Sequence, residues 1–348
     1  MFIGITGTKC SGKHAIAEYL VKYCHFTFLS LKKNNDQNHE LYSNCLMFDT
    51  LDQMQIYVTE RWREDFVTCD IDGHGLWILK KRPFFLLVSV EAPVFVRYKR
   101  YLKKSTAPLS LEDFVLQDDH SLFQKMSSPA SKEIVPLNIL ISHADVTVTN
   151  AFQTLDELHI TVKSLQLMNI ERLRPSWDTY FMHLSDLASR RSNCMKRRVG
   201  CILVKHSRVI ATGYNGTPRG LRNCNEGGCD RCNEAAPCGT GLDRCLCMHA
   251  EENALLEAGR VRVDDCEGTV LYTNTCPCLG CAIKIVQQGI KEVVYSKSYG
   301  MDHMTAKIFK EANVKLRQHS PPPIRLEIQA DISAIDGSIQ GQLGWSTN

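Results

Sequence analysis

This chain lacks long apolar runs. None of its stretches approaches the ~20 consecutive apolar residues of a membrane-spanning helix. Charge of one sign is also lacking: 41 Lys and Arg against 38 Asp and Glu leave a net charge of +3 over 348 residues. That is too little to hold a polyanion by bulk electrostatics. Aromatic residues are sparse, at 8%, and no basic stripe interleaved with aromatics offers a platform for splayed bases. The opening "MFIGITGTKCSGK" has no basic segment ahead of its apolar residues and no small-residue cleavage site. It is read as a buried strand and not as a signal peptide, so a cytoplasmic protein is expected, with neither membrane nor nucleic acid as partner.

Cysteine is abundant by contrast, and unevenly placed. Four of the 16 precede residue 190, and twelve lie between Cys194 and Cys281. Clustered cysteines in a large chain without a secretory leader point to metal ligation or catalysis, not to a disulfide framework.

Strand and helix patterns alternate along the chain, which predicts α/β architecture in two domains. Residues 1–168 carry strands at "MFIGITG", "FFLLVSV" (84–90) and "ADVTVTN" (144–150), with helices from Gly12 to Tyr23 and over 155–168. Residues 169–175 form the expected linker, ending at Pro175. Residues 176–319 read as helix 176–192, strands 199–205 and 208–214, and a cysteine-rich loop 215–247. Helix 249–259, strand 269–274, helix 278–289, strand 292–296, helix 302–312 and strand 314–318 follow, predicting a five-stranded mixed sheet with helices on its faces. The tail 320–348 opens on "SPPP", has little apolar content and is expected to be disordered.

The chemistry concentrates in "CLCMHAEENALLEAG" (245–259) and "TCPCLGCAIKIVQQG" (275–289). His249, Cys278 and Cys281 offer one imidazole and two thiolates, the ligand set of a zinc ion that keeps its fourth position for water. Cys278 and Cys281 fall on the first turn of a helix behind Pro277, where the positive helix end favours thiolates. Glu251 is not needed as a ligand; a carboxylate there can carry a proton from water to substrate. H-x-E followed by P-C-x-x-C is the signature of zinc nucleobase deaminases. A structural zinc knuckle would need no such glutamate.

On these motifs the second domain resembles the cytidine/deoxycytidylate deaminase superfamily, a three-layer fold. "ATGYNGTPRG" (211–220), "HAEENALLEAG" and "YTNTCPCLGCAIKIVQQGIKEVVYS" are similar to its dCMP deaminase branch in the fungal form. The resemblance implies hydrolysis of dCMP to dUMP and ammonia, with Glu251 as proton shuttle and zinc as cofactor. It also implies dCTP as activator, dTTP as inhibitor and a homo-oligomer, commonly a hexamer. Gly213, Tyr214, Asn215 and Gly216 then stand where the family touches substrate or effector nucleotide, with the Asn215 amide on a sugar hydroxyl. Tyr299 stands where the family has a tyrosine near substrate. As residues alone, the four form an Asn-Gly turn ending a strand. Arg190, Arg191, Lys196, Arg197 and Arg198 read either as a solvated helix end or as a phosphate site. A tRNA, polynucleotide or free-nucleoside deaminase is the alternative activity.

Six cysteines crowd the 24 residues "CNEGGCDRCNEAAPCGTGLDRCLC". A structural zinc would replace the missing core of such a loop. The resemblance assigns Cys194, Cys224 and Cys247 to a second zinc. Its fourth ligand is open among Cys229, Cys232, Cys238 and Cys245, and the surplus leaves room for two structural ions. In the first domain, "GTKCSGKH" (7–14) lies between a strand and a helix and has Gly7, Gly12 and Lys13 of a phosphate-binding loop. His14 replaces the magnesium-binding hydroxyl, and with the segments after it the domain resembles a degenerate nucleotide kinase. A bifunctional kinase–deaminase is the rival reading.

Overall fold

The computed structural model describes residues 1–32, 45–123, 135–237, 240–263, 268–298 and 302–323. Cys238, Tyr299 and the tail from 324 onward lie outside the described residues. Two units separate along the chain, one over Met1–Arg174 and one over Pro175–Pro321. Among the described residues no helix is long and apolar enough to cross a membrane.

The first unit runs β1 (Phe2–Gly7), α1 (Lys13–Cys24), β2 (Thr27–Leu31), β3 (Cys45–Phe48), α2 (Leu51–Glu60), β4 (Phe66–Thr68), α3 (Gly73–Leu79) and β5 (Phe85–Glu91). It continues with α4 (Val94–Lys104), α5 (Leu111–Phe123), α6 (Leu137–Ser142), β6 (Val146–Thr149) and α7 (Leu155–Leu165). The six strands are parallel in the order β3-β2-β4-β1-β5-β6. Alternate strand residues feed opposite cores, as the period of two requires. Ile3, Ile5 and Val88 pack with Ile16 of α1 and Val162 of α7, while Phe2, Phe85 and Leu87 pack with Met54 of α2 and Leu76 of α3. The loop after β1 is tightly laced. Gly12 caps α1 at φ 110°, a conformation that favours glycine. The Lys13 ammonium donates to the Gly7 carbonyl at 2.7 Å, and Asn150 donates to the Ser11 carbonyl at 2.7 Å.

The second unit runs α8 (Trp177–Ser189), β7 (Gly200–Lys205), β8 (Arg208–Tyr214), α9 (Asp230–Asn233), α10 (Ala250–Val263) and β9 (Thr269–Thr275). Then come α11 (Leu279–Gln287), β10 (Glu292–Lys297), α12 (Asp302–Glu311) and β11 (Lys315–Gln318). The five-stranded mixed sheet has the order β11-β10-β9-β7-β8, with β7 antiparallel to both neighbours and the rest parallel. On one face Cys201, Leu203, Leu271 and Val293 meet Ala250, Ala254, Ala282, Ile285 and Phe309, from α10, α11 and α12. On the other face Ile202, Val204, Tyr272 and Val294 meet Phe181 and Met182 of α8. The helix expected over 249–259 breaks at Gly259, where φ is 63°.

Candidate catalytic metal centre

Parallel strands β9 and β10, with antiparallel β7 and β8 beside them, bring two helix starts together. Alanines on α10 let it lie close to the sheet, and Gly213 permits the closest approach. A Cβ on Gly213 would stand 2.1 Å from the Ala250 carbonyl oxygen and 2.5 Å from the Ala254 nitrogen. His249 immediately precedes α10, and its carbonyl accepts from the Asn253 amide at 3.0 Å. The Asn253 side chain donates to the Tyr214 carbonyl at 2.7 Å, tying the first turn of α10 to the end of β8. Cys278 caps α11, and Thr305 of α12 donates to the Pro277 carbonyl at 2.9 Å.

His249, Cys278 and Cys281 converge as predicted: both sulfurs lie 3.3 Å from His249 Nδ1. A tetrahedral site with Zn–N of ~2.0 Å and Zn–S of ~2.3 Å has N···S edges of about 3.5 Å, so the donor set fits zinc in kind and spacing. The hydrogen bond from Cys281, and then the one with His249, pull the Cys278 thiol down to about 3. Cys281 is pushed the other way by its bond to Cys278 and by burial. The imidazole of His249 is raised by its bond to Cys278.

Glu251 is 3% exposed, and its Oε2 lies 3.6 Å from the Cys281 sulfur. Burial raises its carboxyl above the ordinary range, which suits a group that must both take and return a proton near neutrality. Sequence reasoning missed the brace between the two ligand-bearing helices, an ion pair from Lys284 of α11 to Glu252 of α10. The "HAEEN" run held the signal: the second glutamate points away from the metal, toward α11.

The Gly213–Gly216 segment has a task that the sequence did not reveal. Asn215 is buried; its Oδ1 accepts from the Val199 amide at 2.8 Å and its Nδ2 donates to the Arg197 carbonyl at 2.7 Å. The amide thereby shapes the basic 197–199 strand entry. The Gly216 and Met248 backbones pair reciprocally, at 3.2 and 2.8 Å, and so close the loop 217–247 at its neck. Arg191 stacks over the Tyr214 ring at 5.9 Å.

Inside that loop Cys224, Cys229, Cys232 and Cys247 are buried together, with Cys194 and Cys245 packed against them. None of the described cysteines is in a disulfide. Among the described residues, the buried cluster of this segment is built of cysteines.

A mixed sheet that sets one imidazole, two thiols and a buried glutamate at two helix starts defines a zinc-dependent deaminase of the nucleotide-base class. Residues 175–297 match the family model described as the cytidine and deoxycytidylate deaminase zinc-binding region. The chain is 48% identical to the deoxycytidylate deaminase of Schizosaccharomyces pombe, over 92% of this chain and 98% of that protein. It is 42% identical to the deoxycytidylate deaminase of Saccharomyces cerevisiae, over 92% of this chain and 97% of that one. The deoxycytidylate deaminase of Mycobacterium phage D29 is 41% identical over 129 residues, 36% of this chain and 97% of the phage protein. The chain belongs to the deoxycytidylate deaminase family.

Proposed function

We propose that the chain hydrolyses dCMP to dUMP and ammonia, supplying dUMP for thymidylate synthesis. The observation that carries the chemistry is the meeting of His249, Cys278 and Cys281 with a buried Glu251 beside them. A zinc ion held by those three residues would supply Lewis acidity and lower the pKa of water at the open position. Glu251 is placed to take a proton from the attacking water and deliver it to ring nitrogen N3; the amine leaves with the water's other proton as ammonia, and oxygen replaces nitrogen at C4. Burial keeps solvent from exchanging with that proton, and the Lys284–Glu252 pair holds α10 and α11 so that the shuttle and the ligands keep one geometry.

The deoxynucleotide specificity is supported by family membership. The same likeness supports dCTP and dTTP as opposing effectors, a hexameric assembly and at least one structural zinc. Gly213, Tyr214, Asn215, Gly216, Tyr299 and the basic residues between Arg190 and Arg198 are the proposed neighbours of the nucleotide. The first unit is proposed as a scaffold. Its loop lysine already donates to Gly7, and His14 stands where a magnesium-binding hydroxyl is needed for phosphoryl transfer.

The test is ammonia release from dCMP, deoxycytidine, CMP and a tRNA anticodon stem, with ATP consumption followed in parallel. We expect dCMP to be preferred by kcat/KM and deoxynucleosides to remain unphosphorylated. Preference for the anticodon stem or for free deoxycytidine would overturn the substrate, and a phosphorylated product would overturn the scaffold role.

A further inference from the structure

Two groups of four cysteines can each enclose a metal ion. One is Cys194, Cys224, Cys232 and Cys247; the other is Cys229, Cys232, Cys245 and Cys247. Within each, every sulfur lies within 4.8 Å of every other. The two groups overlap in Cys232 and Cys247 and together use six cysteines.

We propose that these six cysteines hold two zinc ions as one cluster, with the Cys232 and Cys247 thiolates bridging both ions. Cys194 and Cys224 complete one tetrahedron, and Cys229 and Cys245 complete the other. The proposal deepens the reading of a structural zinc in this loop and is independent of the substrate.

Spacing supports it. Cys232 lies 3.9 Å from Cys194 in the first group and 3.9 Å from Cys245 in the second. Tetrahedral zinc with Zn–S of ~2.3 Å has S···S edges of about 3.8 Å. A disulfide needs ~2.05 Å, and these sulfurs are far outside it. Cys232 thus stands at a tetrahedral edge length from one unshared sulfur on either side.

The hydrogen bonds divide the sulfurs in the same way. The Met195 amide donates to Cys224 and the Leu246 amide to Cys229, both at 3.4 Å. The Lys196 and Arg197 amides reach Cys194, and the Cys232 amide reaches Cys229. Each of these backbone donors serves an unshared sulfur. A terminal thiolate has lone pairs left for N–H groups, whereas a bridging thiolate commits its lone pairs to two ions. Donors from both halves therefore treat the outer sulfurs as thiolates. If only the first group bound metal, the fully buried Cys229 sulfur, at which the Leu246 amide is aimed, would serve no ion.

Charge is met at one edge. Six thiolates around two divalent ions leave a net negative cluster, and the Arg231 guanidinium lies 3.8 Å from the Cys245 sulfur. Each short cysteine pair, Cys229 with Cys232 and Cys245 with Cys247, contributes one outer and one shared sulfur. Each of these pairs therefore ties the two tetrahedra together, and the cluster replaces the apolar core that the loop lacks.

The full chain, expressed with zinc and never exposed to chelator, tests this by native mass spectrometry and by 113Cd NMR after cadmium exchange. We expect three zinc ions per chain, one of them catalytic. We also expect two all-sulfur cadmium resonances coupled to each other through shared thiolates. Maleimide labelling with peptide mapping should leave all six cysteines unmodified. Two zinc ions per chain with Cys229 and Cys245 labelled would overturn the bridged pair and leave a single structural ion. One zinc per chain would overturn the structural site altogether. Two uncoupled all-sulfur resonances would refute bridging while keeping both ions.

Discussion

Replacing Glu251 with Gln separates proton transfer from everything else at the centre. Gln occupies nearly the same volume, and Glu251 is not among the three ligand residues, so the metal should stay. What is lost is a group that accepts and returns a proton. General acid–base catalysis contributes ~10²–10⁴-fold. Glu251 is only 3% exposed, so bulk water cannot easily stand in for it, and the loss should fall toward the upper part of that range. At 1.36 kcal/mol per decade, a loss of ~10³–10⁴ raises the barrier by about 4–5.5 kcal/mol. Because Glu251→Gln removes a buried charge without opening a cavity, the melting temperature should not fall. The assay is dUMP formation at saturating dCMP, with zinc measured on the same preparation. Activity within about tenfold of the parent would refute the assignment. Zinc loss from the variant alone would show that Glu251 is a ligand.

Other perturbations probe the frame. Asp178 accepts two bonds from Arg317 and one from Tyr272 and is half-buried, and the Arg317 bonds hold its carboxyl below the ordinary range. The stability it adds is therefore complete above pH ~4 and is lost as pH falls through its depressed value. Asp178→Asn should lower stability by about 1–2 kcal/mol at pH 7 and flatten the acid limb of thermal denaturation curves; an unchanged acid limb would contradict the network. Gly213→Ala should cost about 1–3 kcal/mol or more, because its Cβ meets α10 backbone that cannot rotate away. Calorimetry should show the lowered melting point together with reduced activity, and a neutral variant would mean that α10 is not held against β8.

The second unit was legible because its signals are long. β7, β8 and β9 have six or seven residues each, and the helices bearing His249 and Cys278 begin at sharp breaks. The five-stranded mixed sheet and the convergence of the three ligands follow the reading from sequence. The first unit was read less fully. β4 has three residues, Phe66–Thr68, too few to show a period, and β2 and β3 are little longer. The role of Asn215 was hidden for a different reason. An asparagine before a glycine reads as a turn or a ligand contact, and only tertiary structure shows its amide joined to Arg197 and Val199. The sharing of Cys232 and Cys247 was hidden too, since spacing counts cysteines without saying which two lie between the others.

The pairing of Gly216 with Met248 bears on how this family can vary. Because the two backbones meet, the chain between them leaves and re-enters the edge of the sheet through one doorway. Lengthening a flexible excursion of this kind adds entropy only with the logarithm of its length, about 0.6 kcal/mol per doubling. The catalytic histidine sits one residue past the doorway, so its position is insulated from whatever the excursion contains. The cysteine-rich segment can thus change in length at its outer turns, provided that the two residues at its threshold still pair and the cysteines that meet Cys194 are kept.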